Sequence, residues 1–248
     1  MATKEWQAAS FSHCGNHRQL NEDRFLTRSR DSFWLIADGM GGHQRGDFAS
    51  DMVIEITKDL AISGDLDTRA SSVQSALAGG HERLRQVSAN SQPDTTCGTT
   101  VATLLIVEDE GIVQWAGDSR LYRWRHHTLT PMTRDHSYVE ELVALGKLSP
   151  KDAERDPRQH IITRAIGVDQ SLAIEQHRFS VEPGDRFLLC TDGLYRELNA
   201  GQISATLGDA SSAEEAALTL LESALAGAAN DNITGVVIFP PPHLPEQL

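Results

Sequence analysis

Two apolar runs in this chain end in the same dipeptide. Trp34-Leu35-Ile36-Ala37 leads into Asp38-Gly39 and the glycine-rich Met40-Gly41-Gly42-His43, while Phe187-Leu188-Leu189-Cys190-Thr191 leads into Asp192-Gly193. Runs this short read as buried strands, and a carboxylate at the end of one is tolerated only when solvated, paired or bound to metal. Asp118 stands in Gly117-Asp118-Ser119-Arg120, Asp231 opens Asp231-Asn232-Ile233-Thr234, and Asp23 lies in a polar loop after Cys14. Singly, each is an ordinary turn former, since aspartate bonds its own backbone. Converged, their charges persist together only with cations among them. Oxygen donors without cysteine or paired histidine select hard octahedral ions such as Mg²⁺ or Mn²⁺. Two such ions sharing a bridging water lower its pKa and aim hydroxide at a phosphorus atom. Arg18, five residues before Asp23, offers a donor fork matched to phosphate oxygens. Alone, Arg18 reads as a surface ion pair; with the aspartates, the chemistry is metal-assisted phosphate ester hydrolysis.

These groups need strands to carry them. Trp6 to Ser12 reads as a first strand, and Phe25 with Phe33 to Ala37 as paired strands entering the Asp38 turn. Val101 to Val107 and Ile112 to Ala116 form a hairpin across Glu108-Asp109-Glu110-Gly111. Leu121 to Trp124, Ala173 to Phe179, the Phe187 run and Val236 to Phe239 add further strands. Helical spacing marks Ala49, Met52, Val53, Ile56 and Leu60 as one buried face. A second helix covers about Ala70 to Ala89, and a last one, capped by Ser211 or Ser212, carries Ala213, Ala217 and Leu221. Residues 132–167 are polar and Pro-interrupted, the pattern of a flap beside a site. Within them His136 and His160 are the histidines to weigh for function, each also readable as a cap or surface residue. Strands joined by hairpins and helices in groups predict an α+β fold with mostly antiparallel sheet.

Composition narrows the function class. The 248 residues carry a formal net charge of −13, which opposes general binding to nucleic acid or anionic membranes. The longest apolar run, Val101 to Val107, falls far short of the roughly 20 residues a membrane helix needs. The N-terminus shows no basic-then-apolar leader, so a cytoplasmic protein is expected. Three widely spaced cysteines, Cys14, Cys97 and Cys190, fit buried thiols rather than a disulfide framework. One domain over residues 1–240 is expected, followed by a Pro-rich, extended tail at 241–248.

The ordered set Arg18…Asn21-Glu22-Asp23, Asp38-Gly39-Met40-Gly41-Gly42, Gly98-Thr99-Thr100, Gly117-Asp118-Ser119-Arg120, Thr191-Asp192-Gly193 and Asp231-Asn232-Ile233-Thr234 closely resembles the metal-dependent PP2C (PPM) serine/threonine protein phosphatases, in their compact bacterial form. The resemblance spans about Ser10 to Phe239. It implies an αββα sandwich of two antiparallel β-sheets flanked by helices, with two Mn²⁺ or Mg²⁺ ions in a cleft at one end and a place for a third. It implies that Asp38 bridges both ions, that the Gly39 carbonyl binds one, and that Asp192 and Asp231 are further ligands. Asp23 would belong to the metal shell, Asp118 to the third ion, and Arg18 to the phosphate. Residues 132–167 match the flap. Met40 departs from many eukaryotic members, which carry a histidine there as proton donor. Methionine donates no proton, so a metal-bound water or another residue such as His160 must protonate the leaving oxygen.

The implied function is hydrolysis of phosphoserine and phosphothreonine in proteins, by a monomer opposing a bacterial serine/threonine kinase. Two other classes fit the residues less well. A non-catalytic relative that binds metal or phosphoprotein has no need of the complete acidic set, and a carboxylate-metal nuclease is disfavoured by the net charge.

Overall fold

The computed structural model describes residues 5–41, 45–90, 97–153 and 155–241. The Gly42-His43 end of the glycine turn, loop residues 91–96 and the tail from residue 242 lie outside the described residues.

In chain order the elements are β1 (Gln7–His13), β2 (Asp23–Arg28), β3 (Phe33–Met40), α1 (Gly46–Lys58), α2 (Leu66–Ala89), β4 (Gly98–Thr99), β5 (Val101–Val107), β6 (Glu110–Ala116), β7 (Arg120–Arg125), β8 (Thr128–Pro131), α3 (Tyr138–Ala144), α4 (Pro150–Ala153), β9 (Glu175–Ser180), β10 (Arg186–Cys190), α5 (Asp192–Tyr195), α6 (Ala200–Asp209), α7 (Ala213–Leu225) and β11 (Ile233–Phe239). One sheet runs β1-β11-β10-β7-β8 and the other β2-β3-β5-β6-β9, with β4 added against β3. Every pairing between these strands is antiparallel.

Three apolar layers hold the sheets and helices together. Along β3, Phe33, Leu35 and Ala37 meet Val53 of α1 and Leu77 of α2, whereas Trp34 and Ile36 face Phe187, Leu189, Val236 and Ile238 of the other sheet. Along β10, Leu188 and Cys190 turn outward to Ala216 and Leu220 of α7. Strands apolar on both faces read as continuous runs rather than alternations, which is why these strands stood out in the sequence. The layering is the expected αββα sandwich.

Several local expectations are corrected. The strand entering the site does not stop at Asp38, because Asp38, Gly39 and Met40 still find partners in Asp23, Thr99 and Gly98. For the same reason Asp23 is the first residue of a strand, not part of a loop. The second helix starts at Leu66 rather than Ala70, since the Asp65 side chain accepts the Thr68 N–H as an N-cap. The last strand begins at Ile233, three residues early, through pairing of Ile233 with His13. On α1 the fully buried residues are Gly46, Ala49, Ser50, Val53 and Thr57, with Met52 and Ile56 only partly covered; Leu60, also partly covered, lies beyond the end of the helix. The buried hydroxyls there are satisfied locally: Ser50 donates to the Glu22 carbonyl at 2.6 Å and Thr57 to the Val53 carbonyl at 2.7 Å. Cys97 and Cys190 are buried thiols as expected, but Cys14 is only partly covered. Among the described residues no helix is long and apolar enough to cross a membrane.

Candidate active site

The carboxylates gather where the ends of the two sheets meet. Asp23 and Asp38 lie directly opposite each other on β2 and β3. The other sheet reaches across to them: Thr191, at the end of β10, donates its hydroxyl to Asp23 Oδ2 at 2.8 Å and its N–H to the Thr234 carbonyl at 3.0 Å. That puts Asp192 and Asp231, which flank these two threonines, beside Asp23 and Asp38. Asp118 enters from the turn between β6 and β7.

Asp38 is held by its backbone, leaving its carboxylate for other work. The Asp38 N–H donates to Thr100 Oγ1 at 3.0 Å, and its carbonyl accepts from Thr99 Oγ1 at 2.9 Å and Thr100 N at 2.8 Å. Thr100 Oγ1 also meets Ser119 Oγ at 2.8 Å, tying the Asp38 strand to the Asp118 turn. Gly39 is buried in β3 with the backbone of Gly46 pressed against it: a Cβ there would come within 2.1 Å of the Gly46 carbonyl oxygen. Gly193 is equally constrained, since a Cβ would sit 2.0 Å from the Asn232 carbonyl oxygen. The second Asp-Gly pair therefore needs glycine for the approach of the Asp231-Asn232 segment.

The electrostatics are those of crowded, buried acids. Asp23 is pushed up from 3.8 to about 7, first by burial and then by Asp192 and Asp231, against the pull of hydrogen bonds from Thr191 and Thr234. Asp118 is likewise pushed up to about 7, by burial, Asp192 and Asp135. Asp38 is raised well above the usual carboxylate range by burial and then by Asp23, Asp192, Asp118 and Asp231. Burial also raises Asp192, with Arg196 opposing and Asp231 assisting. In every one of these shifts burial is the largest cause and the neighbouring acids add to it. One Asp118 oxygen, Oδ1, is buried without a hydrogen-bond partner among the described residues.

These residues fit hard divalent ions. Among the described residues no group of three or more acidic, histidine or cysteine side chains is arranged to hold a single ion. Carboxylates present singly and in pairs suit Mg²⁺ or Mn²⁺, which keep several waters and take one or two carboxylates each.

Arg18 is half-exposed and its Nη2 lies 3.1 Å from Asp231 Oδ2, at the rim of the cluster. His160 stands beside the cluster, where Arg196 Nη1 bonds its Nδ1 and its ring lies near enough to Asp192 to act on it. His136 does not reach it. It is buried against Trp115, takes the Gly117 N–H on Nδ1 at 3.1 Å and pairs with Glu175 through Nε2 at 2.9 Å. Burial lowers its pKa, and its part is to brace the turn that presents Asp118.

Three residues were given no role by sequence reasoning. Asn232 staples the Arg18 loop to the strand end, donating to the Cys14 and Leu20 carbonyls at 3.1 and 2.9 Å and accepting the Glu22 N–H at 2.8 Å. Glu22 faces the N-terminal N–H groups of α1 at Gly46 and Asp47, which pull its pKa down while burial raises it more. Arg196 pairs with Asp192 at 2.9 Å and Asp118 at 3.6 Å. Only Arg196 left a readable signal, its i,i+4 spacing from Asp192.

A sequence model of the Protein phosphatase 2C family matches residues 12–226. The chain is 28% identical over 234 residues to the serine/threonine phosphatase stp of Listeria monocytogenes, covering 90% of this chain and 92% of that one. Its fold superposes with a TM-score of 0.87 on PppA, described as a key regulatory component of T6SS in Pseudomonas aeruginosa, at 34% identity over 94% of this chain and 97% of that one. A third likeness is to the catalytic domain of serine threonine protein phosphatase PstP in complex with 2 manganese ions, with TM-score 0.83 and 31% identity over 95% of this chain and 98% of that one. The four-layer sandwich is thus shared with phosphatases along nearly the whole chain. The chain belongs to the protein phosphatase 2C family.

Proposed function

We propose that the protein hydrolyses phosphoserine and phosphothreonine in other proteins, using two divalent ions, Mn²⁺ or Mg²⁺, held by Asp38, the Gly39 carbonyl, Asp192 and Asp231, with Asp23 supporting them and Asp118 facing the same space. The observation that carries this reading is the convergence of acids from the two sheets: Asp23 lies opposite Asp38, and Thr191, next to Asp192, donates across to Asp23. Bound there, the ions activate water as a nucleophile and neutralise charge on the phosphoryl oxygens. The PstP domain that resembles this chain is described with two manganese ions, which supports the same count here.

The protein's own groups orient the substrate. Arg18 is exposed enough to leave Asp231 and turn its fork to the phosphate, while Asn232 fixes the loop that carries it. Replacing it as Arg18→Ala is expected to raise KM for a phosphopeptide roughly 10- to 100-fold, the worth of one or two charge-assisted hydrogen bonds, with a smaller change in kcat. Steady-state kinetics at saturating Mn²⁺ read this directly.

His160 stands where Met40 leaves the proton donor unassigned. A guanidinium only donates, so Nδ1 of His160 accepts and the ring proton sits on Nε2, available to a leaving oxygen. Replacement by glutamine, His160→Gln, is expected to lower kcat on a phosphothreonine peptide on the order of 10²-fold while sparing p-nitrophenyl phosphate, whose leaving group needs no proton. Equal losses on both substrates would remove His160 from this role.

Residues 132–167 are read as the flap, joined to β4 by the bridge Thr99–Ile166 and closed on itself by the bridge Ser137–Ile162. The cellular setting proposed is a cytoplasmic monomer working against a serine/threonine kinase. Phosphate release from phosphoserine and phosphothreonine peptides with added Mn²⁺ tests the activity. Metal binding without turnover would favour a non-catalytic regulator, and nucleic-acid cleavage a nuclease.

A further inference from the structure

Arg196 enters the scheme above only as the partner of His160, although its side chain also pairs with two acids of the cluster, Asp118 and Asp192. We propose that its guanidinium is a built-in cation between Asp118 and Asp192, so that this enzyme takes two divalent ions and holds an arginine where a third would bind. The inference rests on the two-ion reading of the preceding subsection.

The local sequence dictates the placement. α5 is a single turn beginning at Asp192, and the Arg196 N–H closes it on the Asp192 carbonyl at 3.0 Å, so residue 196 lies over residue 192. Its Nη2 then lies 2.9 Å from Asp192 Oδ2 and 3.6 Å from Asp118 Oδ2, while Nη1 bonds His160. The neighbouring acid is directed elsewhere: Glu197 accepts the Ala228 N–H at 3.0 Å. Asp118 is further fixed by its backbone, whose carbonyl accepts the Tyr195 hydroxyl at 3.0 Å. An ion bridging Asp118 and Asp192 would have to displace a guanidinium that never loses its proton in a protein.

Charge balance points the same way. Five aspartates bring five negative charges; two divalent ions and Arg196 neutralise them, which leaves Arg18 for the phosphate. The unpartnered Asp118 Oδ1 marks an acid that one guanidinium contact does not saturate. Removing the arginine therefore exposes a pair of carboxylates with a vacancy for a cation.

Calorimetric titration of the metal-free, full-length protein with MnCl₂ reads the stoichiometry without reference to turnover. The parent and Arg196→Lys are expected to bind about two equivalents, and Arg196→Asp and Arg196→Gln a third, weaker one. Circular dichroism confirms folding, and the neutral, shorter Arg196→Gln decides the matter if Arg196→Asp does not fold. Two equivalents in every variant, or three in the parent, would overturn the role of Arg196. A parent that binds none would overturn the two-ion reading beneath it, which is a distinguishable result.

Discussion

Asp38→Asn is expected to abolish most phosphatase activity, on the order of 10³-fold in kcat/KM, while making the metal-free protein harder to melt. The two effects have one cause. Asp38 sits opposite Asp23 and feels Asp192, Asp118 and Asp231, so its ionised form is costly without cations and indispensable with them. Asparagine keeps the size of the side chain and every backbone bond that locates it, including those to Thr99 and Thr100. What it removes is the charge that would hold the ions, and metal catalysis is worth several kcal/mol, about a decade of rate for each 1.4 kcal/mol. Losing one member of a buried group of like charges stabilises the empty site at the same time, the usual exchange between stability and activity at a strained centre. Phosphopeptide kinetics with Mn²⁺ and thermal melting in EDTA check the two halves. A variant both less active and less stable when metal-free would mean that Asp38 supports the fold and not the ions.

Metal removal carries the second large effect, and it depends on pH. Asp23 and Asp118 are pushed from 3.8 to about 7, so between about pH 4 and 7 the folded, metal-free protein holds protons that the unfolded chain has released. Stability must then fall as pH rises through that window, by up to about 1.4 kcal/mol per pH unit for each such group, and the loss is complete above about 7. The buried His81 and His136 have lowered pKa values and act in the opposite sense, reducing stability as pH falls below their ordinary 6.5. Asp156, lowered to about 2 by Arg158, titrates below this window. These last groups lie outside the acidic cluster and cancel in the difference between melting temperatures with and without Mn²⁺. That difference is expected to grow from pH 5 to about 7 and to level off above it, because cations favour the ionised carboxylates. Melting curves in saturating Mn²⁺ and in EDTA, at matched pH, measure it; a difference independent of pH would contradict the grouping of these acids around metal.

The strands carrying Asp38 and Asp192 were legible because both faces of each are buried, which leaves uninterrupted apolar runs in the sequence. The order of motifs along the chain gave the family and with it the sandwich. Contacts between residues distant in sequence were not legible. The Asp23–Asp38 pairing sets residues of two strands side by side, and a loop reading of Asn21-Glu22-Asp23 could not reveal it. Asn232 was seen within its motif, yet nothing in an amide's identity tells that it will hold the Cys14 and Leu20 carbonyls more than two hundred residues away. Around α1, helical spacing overvalued Met52, Ile56 and Leu60, because the face against β3 accepts Ser50 and Thr57 once their hydroxyls find carbonyls. Arg196 and the Asp65 cap are different: each follows from a local rule, i,i+4 pairing in one case and side-chain capping in the other.

An anomalous difference map from crystals grown with Mn²⁺ tests the central claim most directly. Two peaks a few ångströms apart, with Asp38 between them and Asp192 and Asp231 at hand, are predicted. Manganese bound elsewhere on the protein, with the five aspartates bare at the meeting of the two sheets, would contradict it.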